Sequence, residues 1–283
     1  MKILVLAEEQ QIQLALSRFF QQRGRDYQIC SAAELVGQPD IVDFLHRHSI
    51  DLLLNTASLS LLGQRTDSER VAKATQLAEA CHRAQVILMH LSSSLVFDGL
   101  DGGRHREIDE AVPASRVGAL HWQIEQAVRA KCERHVILRS MPLFSDQPGN
   151  LLTALIAQFQ TAQELQVSTT GKAAPVCCDD LARVLSAMID QLSCEADVFG
   201  TYHYGASDPV NYFQFAETVL TVVSQHIDTT AVSLKAIESS DTAWPQPLLN
   251  CDKIRTTFGI KQLPWRSYIA GSVKPLFNTG ADE

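Results

Sequence analysis

The chain has 283 residues, of which 46% are hydrophobic and 20% charged, with a formal net charge of −8. That length supports one or two domains with a sizeable core, while the acidic balance excludes a nucleic-acid binder, which needs a basic stripe. No run of about 18 apolar residues suggests a membrane span, and seven cysteines without a CxxC pair argue against metal sites and a disulfide framework. A cytoplasmic setting, with no signal peptide, is the expectation.

The first residues, KILVLA (2–7), read as a buried strand, followed by a helix from about 11 to 23 that ends at Gly24. YQIC (27–30) is a short second strand, 39–49 carries helical spacing, and DLLLNTA (51–57) is an apolar strand. Residues 68–84 form an amphipathic helix, with Val71, Thr75, Ala78 and Cys81 on one stripe. QVILMHLSSS (85–94) and HVILRSM (135–141) are two further strands, separated by a helix over about 115–132. Continuous apolar strands alternating with helices indicate a parallel sheet covered on both faces. The expected fold is therefore α/β: a Rossmann-like doubly wound parallel sheet over 1–148, with ligands at the carboxyl ends of its strands. Residues 149–283 are expected to build a smaller C-terminal α/β substrate-binding lobe, with the chain returning to the sheet around 174–206. Its pieces are helices over 149–165 and 174–192, the latter capped by Asp179 or Asp180, a strand over 201–206 and a helix over 211–227. The proline-rich WPQPLL (244–249) interrupts the short strands of the last fifty residues.

The middle of the chain carries the most specific pattern. HLSSSLVFDG (90–99), Glu107, Asp109, Pro113 and VGALHWQIE (117–125) follow one another in that order. This block resembles HxSTDYVFDG…ExD…P…YGxxKxxxE of the extended short-chain dehydrogenase/reductases, specifically the dTDP-4-dehydrorhamnose reductase-like, sugar-nucleotide-binding family. LLLNTAS (52–58), LRSM (138–141), GNLL (149–152), APVCCDDLA (174–182), GTYHYGAS (200–207) and LLNCDKIRTTFGI (248–260) continue the resemblance across nearly the whole chain.

The resemblance also implies where that family's chemistry would sit. Its glycine-rich phosphate turn corresponds to Ala7, Gln10 and Gln13, beside the carboxylates of Glu8 and Glu9. Its tyrosine acid corresponds to Val117, which has no proton to donate, and its lysine to His121. Only the hydroxyl that orients the substrate carbonyl has a counterpart, at Ser93. The expectation drawn from these positions is a non-catalytic pseudo-reductase without a cofactor, binding a small ligand such as a nucleotide sugar, or a protein partner, with a homodimer as an option. Candidate ligand contacts are Ala57, Ser58, Ser92, Ser93, Ser94, His121 and Asn150. The alternatives are an enzyme rebuilt around Ser93 and His121, and an ordinary NAD(P)-dependent reductase.

Overall fold

The computed structural model describes residues 1–56, 66–99, 103–238 and 247–277. In chain order the first half runs β1 (Ile3–Leu6), α1 (Gln10–Gln22), β2 (Tyr27–Cys30), α2 (Ala32–Val36), α3 (Ile41–Arg47), β3 (Leu52–Asn55), α4 (Asp67–Ala84) and β4 (Ile87–Ser93). A single 3-10 turn, Ser94–Val96, leads to β5 (Arg104–His105), α5 (Arg116–Lys131), β6 (His135–Ser140) and β7 (Leu143–Phe144). The remainder is α6 (Leu151–Thr161), β8 (Glu164–Ser168), β9 (Val176–Cys177), α7 (Cys178–Ser193), β10 (Gly200–Tyr204) and α8 (Tyr212–Val223). It closes with β11 (Ser233–Ile237), β12 (Leu248–Leu249), α9 (Asp252–Phe258) and α10 (Arg266–Phe277).

Six parallel strands in the order β10-β6-β4-β3-β1-β2 form the main sheet. Successive side chains of a strand point to opposite faces, and the strands are apolar on both. Ile3 and Val5, Leu52 and Leu54, Ile87 and Met89, and Val136 and Leu138 enter one core, shared with α1 and α7. Leu4 and Leu6, Leu53, Leu88 and Ile137 enter the other, shared with α3, α4 and the end of α5. Both faces are thus covered, as the continuous apolar runs required. Outside the sheet, β8 pairs with β11 in parallel, and α8 packs against α6 and α10. Among the described residues no helix is long and apolar enough to cross a membrane.

Two local expectations differ from the structure, and one short helix was not anticipated. The helix expected over 149–165 stops at Thr161, and Glu164–Ser168 becomes a strand because β11, far along the chain, supplies its partner. A short helix, α2, follows β2: Ser31 caps its backbone and Glu34 reaches back, a reciprocal pair already spelled by SAAE. Neither Asp179 nor Asp180 caps α7. Its N-cap position is Cys177, and Asp180 lies in the first turn, accepting from the Tyr204 hydroxyl at 2.6 Å and the Tyr268 hydroxyl at 3.1 Å.

Helix α5 comes so close to the end of β4 that only glycine fits at the contact. A Cβ on Gly118 would stand 1.9 Å from the Leu95 carbonyl oxygen. Gly118→Ala is expected to destabilise the protein by about 1–3 kcal/mol, the usual cost of overpacking, measured as a fall in the urea midpoint without a change in slope.

Candidate active site

Strand order reverses beside β1: the chain steps outward to β2, then crosses back to β3 on the other side. In open parallel sheets such a switch point leaves a crevice at the carboxyl ends of the strands. A cavity of about 250 Å³ lies there, lined by Glu9 after β1, Gln11 and Ile12 on α1, Thr56 after β3, Leu91–Ser93 on β4, His121 on α5, Ser140 at the end of β6, Met141–Leu143 after it, and Gly149 and Asn150 before α6.

The polar groups on this wall are committed to different degrees. Ser92 donates to the Glu125 carboxylate at 2.6 Å, so its hydroxyl belongs to the interior. Asn150 caps α6, its oxygen accepting from Leu152 N–H at 2.9 Å, while its amide donates to the Ser145 carbonyl at 3.1 Å. Thr56 ties β3 to β1 through the Leu6 carbonyl at 2.9 Å. The Ser93 oxygen accepts from Leu95 N–H at 3.2 Å. A hydroxyl has one proton and two lone pairs, so that contact leaves the Ser93 proton available to the cavity. His121 is 5% exposed, and its Nδ1 has no hydrogen-bond partner among the described residues. Burial pushes its pKa down to about 4, against a smaller upward pull from Glu125, so the ring is neutral at pH 7.

Ser94 lies in the turn after β4, fully buried and outside the cavity lining. Ala57 and Ser58 lie outside the described residues. Val117, 43% exposed in the first turn of α5, stands apart from the lining. The lining residues not singled out from sequence include Gln11, Thr56 and Ser140. Thr56 and Ser140 carry a recognisable signal, a hydroxyl directly at the carboxyl end of an apolar run.

Where the family's phosphate turn would lie, Ala7 is buried at the end of β1, and Gln10 and Gln13 fall in the first turn of α1. Glu8 is turned away from that helix, accepting from Ala32 N–H at 2.8 Å. Glu9 occupies the N-cap position, but its side chain makes no capping bond and accepts instead from Gln11 Nε2 at 2.9 Å. The first-turn amides of α1 therefore lack a side-chain cap, the situation in which a helix N-terminus favours an anion.

Behind the cavity lies a buried ion pair. Arg139 on β6 grips Glu125 on α5 through Nε at 2.9 Å and Nη2 at 2.8 Å, with both side chains almost fully enclosed. Arg129 adds a third donor at 2.8 Å, and Arg139 also reaches His203 Nε2 at 3.2 Å. Burial opposes ionisation of Glu125, yet the hydrogen bonds and charge of Arg139, with Arg129 and Ser92, hold its pKa below the ordinary value.

The RmlD substrate binding domain model matches residues 1–277. The chain belongs to that family. The dTDP-4-dehydrorhamnose reductase of Sinorhizobium fredii is 28% identical over 215 residues, 73% of this chain and 72% of that protein. The enzyme of the same name from Aggregatibacter actinomycetemcomitans is 22% identical over 282 residues, 94% of this chain and 96% of its own length. Among solved structures, dTDP-4-dehydrorhamnose reductase from Bacillus anthracis, in complex with NADP, superposes with a TM-score of 0.80 at 18% identity, covering 97% of this chain and 98% of that one.

These findings overturn the expectation of a non-catalytic, cofactor-free RmlD-family protein. The relatives it matches are named dTDP-4-dehydrorhamnose reductases, one of them over 94% of this chain, and a neighbour of the same fold is in complex with NADP. The expectation failed because it equated chemistry with residue identity at Ala7, Gln10, Gln13, Val117 and His121. Reduction of a carbonyl requires a crevice at the strand ends and polar groups aimed into it, and other side chains or main-chain amides can meet that need.

Two predictions come from the buried groups. Glu125→Gln leaves the Arg139 cation enclosed without its counter-charge and is expected to cost about 3–5 kcal/mol in denaturant unfolding. His90 and His121 have pKa values pushed down to about 4 and His203 to about 3, in each case chiefly by burial. The unfolded chain therefore binds more protons below about pH 6.5, so stability is fully present at neutral pH and falls towards pH 4. His121→Gln should flatten that fall by up to about one proton in linkage, read from urea midpoints across the pH range.

Proposed function

We propose that this protein is a nicotinamide-dependent reductase acting on the keto group of a sugar nucleotide, with the crevice at the ends of β1, β3, β4 and β6 as its active site. The observation that carries the reading is the convergence of Ser93, whose hydroxyl proton is uncommitted, with the cavity at the switch point of the sheet. The names of these relatives support the reaction class and the substrate class.

The residues fit a dinucleotide in layout. The first turn of α1 has no side-chain cap, and Glu8 is held away from it by Ala32 N–H. The Glu9 carboxylate, paired with Gln11, stays in the cavity lining beside it and opposes an anion there. Leu91, Met141 and Pro142 offer apolar wall to a nicotinamide ring, and the hydroxyls of Ser93 and Thr56 stand beside it. The cavity, about 250 Å³, is small beside the usual range of about 300–1,000 Å³ for ligand pockets. It suits the reacting rings, with the remainder of both nucleotides lying over the strand ends. When bound, a reduced nicotinamide supplies the hydride that reduces the keto carbon. Ser93 orients the carbonyl by donating to its oxygen.

The test is loss of reduced-nicotinamide absorbance with purified protein, dTDP-4-dehydrorhamnose and either NADPH or NADH. Turnover is expected, and Ser93→Ala should lower kcat by about 100-fold, the scale of one lost donor to a developing oxyanion, with an unchanged melting temperature. Absence of turnover and of dinucleotide binding together would remove this reading.

A further inference from the structure

We infer that this crevice selects NADH over NADPH, because the Glu8 and Glu34 carboxylates occupy the end of β2, where the adenosine ribose of a dinucleotide is held. The inference deepens the proposed reductase reading and rests on it. In a doubly wound sheet the dinucleotide lies over the strand ends, and its ribose reaches a segment about 20 residues beyond the phosphate turn. Here α1 starts at Gln10 and β2 ends at Cys30, so that segment is the one entering α2. An acid at this place accepts from a ribose 2′-hydroxyl, whereas a 2′-phosphate calls for an arginine.

Two carboxylates converge on this segment from different elements. Glu8, in the turn after β1, accepts from Ala32 N–H at 2.8 Å, and Glu34, within α2, accepts from Ser31 N–H at 2.8 Å. Two adjacent amides that could have met an anion are therefore filled by the chain's own acids. Each carboxylate keeps one oxygen without a hydrogen bond among the described residues, Oε2 of Glu8 and Oε1 of Glu34. The Cys30 thiol registers both charges: burial first, then Glu34 and Glu8, push its pKa up to about 12.

Neither stretch of chain supplies a cation to offset them. Lys and Arg are absent from 3–17 and from 26–46. The arginines that bracket these stretches turn to α7 instead, Arg18 binding Asp179 at 2.8 Å and Arg25 binding Asp190 at 2.7 Å. A ribose hydroxyl has a proton to give to a carboxylate oxygen. A 2′-phosphate offers acceptor oxygens and a charge of about −1.5 to −2 at pH 7, so it meets repulsion where the hydroxyl meets a partner. Such a repulsive element separates two ligands that are otherwise identical. Glu9, in the cavity lining, opposes the pyrophosphate common to both and does not enter the difference. The fold is shared with a neighbour in complex with NADP, so the selection belongs to these side chains and not to the fold.

Calorimetry of the purified protein with NADH and with NADPH, which differ only in the 2′-phosphate, tests this by binding alone. The wild-type protein is expected to bind NADH about 10-fold more tightly than NADPH, or better, the scale of one like-charge contact near a protein surface. Glu8→Gln combined with Glu34→Gln keeps an acceptor for both amides and removes both charges. That variant should bind NADPH more tightly than wild type, bind NADH much as before and lose most of the preference, with an unchanged melting temperature. Glu8→Gln alone should lose part of it, which keeps the test decisive if the double variant fails to fold. NADPH bound as tightly as NADH by wild type, or a preference that persists in the folded variants, overturns this inference and leaves the reductase reading standing. Binding of neither dinucleotide overturns this inference, and absence of turnover with it removes the reductase reading as well.

Discussion

The Glu125–Arg139 ion pair is the constraint on which the arrangement of the crevice depends. An enclosed carboxylate and guanidinium are tolerated only when their hydrogen-bonding directions are filled. Here they are: Ser92 from β4, Arg129 from α5 and Arg139 from β6 all converge on the carboxylate, while Arg139 extends to His203 on β10. The guanidinium is also covered by aromatic faces, with Phe97 at 5.0 Å and Trp122 at 5.8 Å. One helix and three neighbouring strands are thereby locked in a single relative position, and a cavity at their ends inherits that position.

Helix α5 is held at two heights. Gly118 permits backbone contact with Leu95 near its start, and Glu125 is gripped two turns later. Positions 117, 121 and 125 form one stripe along the helix, because residues four apart share a face. The stripe runs from solvent inward, which explains the graded exposure of its members: 43% at Val117, 5% at His121 and 0% at Glu125. The same periodicity that anchors the helix therefore carries an imidazole to the cavity wall.

The opposite wall is governed by the turn after β1. Without a glycine there, two adjacent carboxylates could have blocked the end of α1. Instead Glu8 satisfies the amide of Ala32 and joins the first turn to the segment after β2, while Glu9 pairs with Gln11. Ser145 extends this chain of contacts by donating to Gln11 at 3.4 Å, which links the turn to the loop before α6. Glu8 serves the framework, while Glu9 remains in the cavity lining at a helix end without a side-chain cap.

Much of this was legible in the sequence, because it depends on local pattern. Continuous apolar runs at 2–7, 51–57, 85–94 and 135–141 determine buried parallel strands, since only a sheet covered on both faces can use such runs. The ordered motifs from HLSSSLVFDG to VGALHWQIE determined the family. Tertiary structure alone decided what each polar side chain faces. Ser92, Ser93 and Ser94 are adjacent in sequence, yet one binds a buried carboxylate, one borders the cavity and one is enclosed in a turn. The difference arises because α5 and β6, distant in sequence, supply the partners. Strand β8 was hidden for the same reason, its pairing partner lying some seventy residues on in β11, with Leu165 beside Leu234. Patterns of period two or four are written locally, whereas the partner of a hydroxyl, an imidazole or an edge strand exists only once the chain has folded.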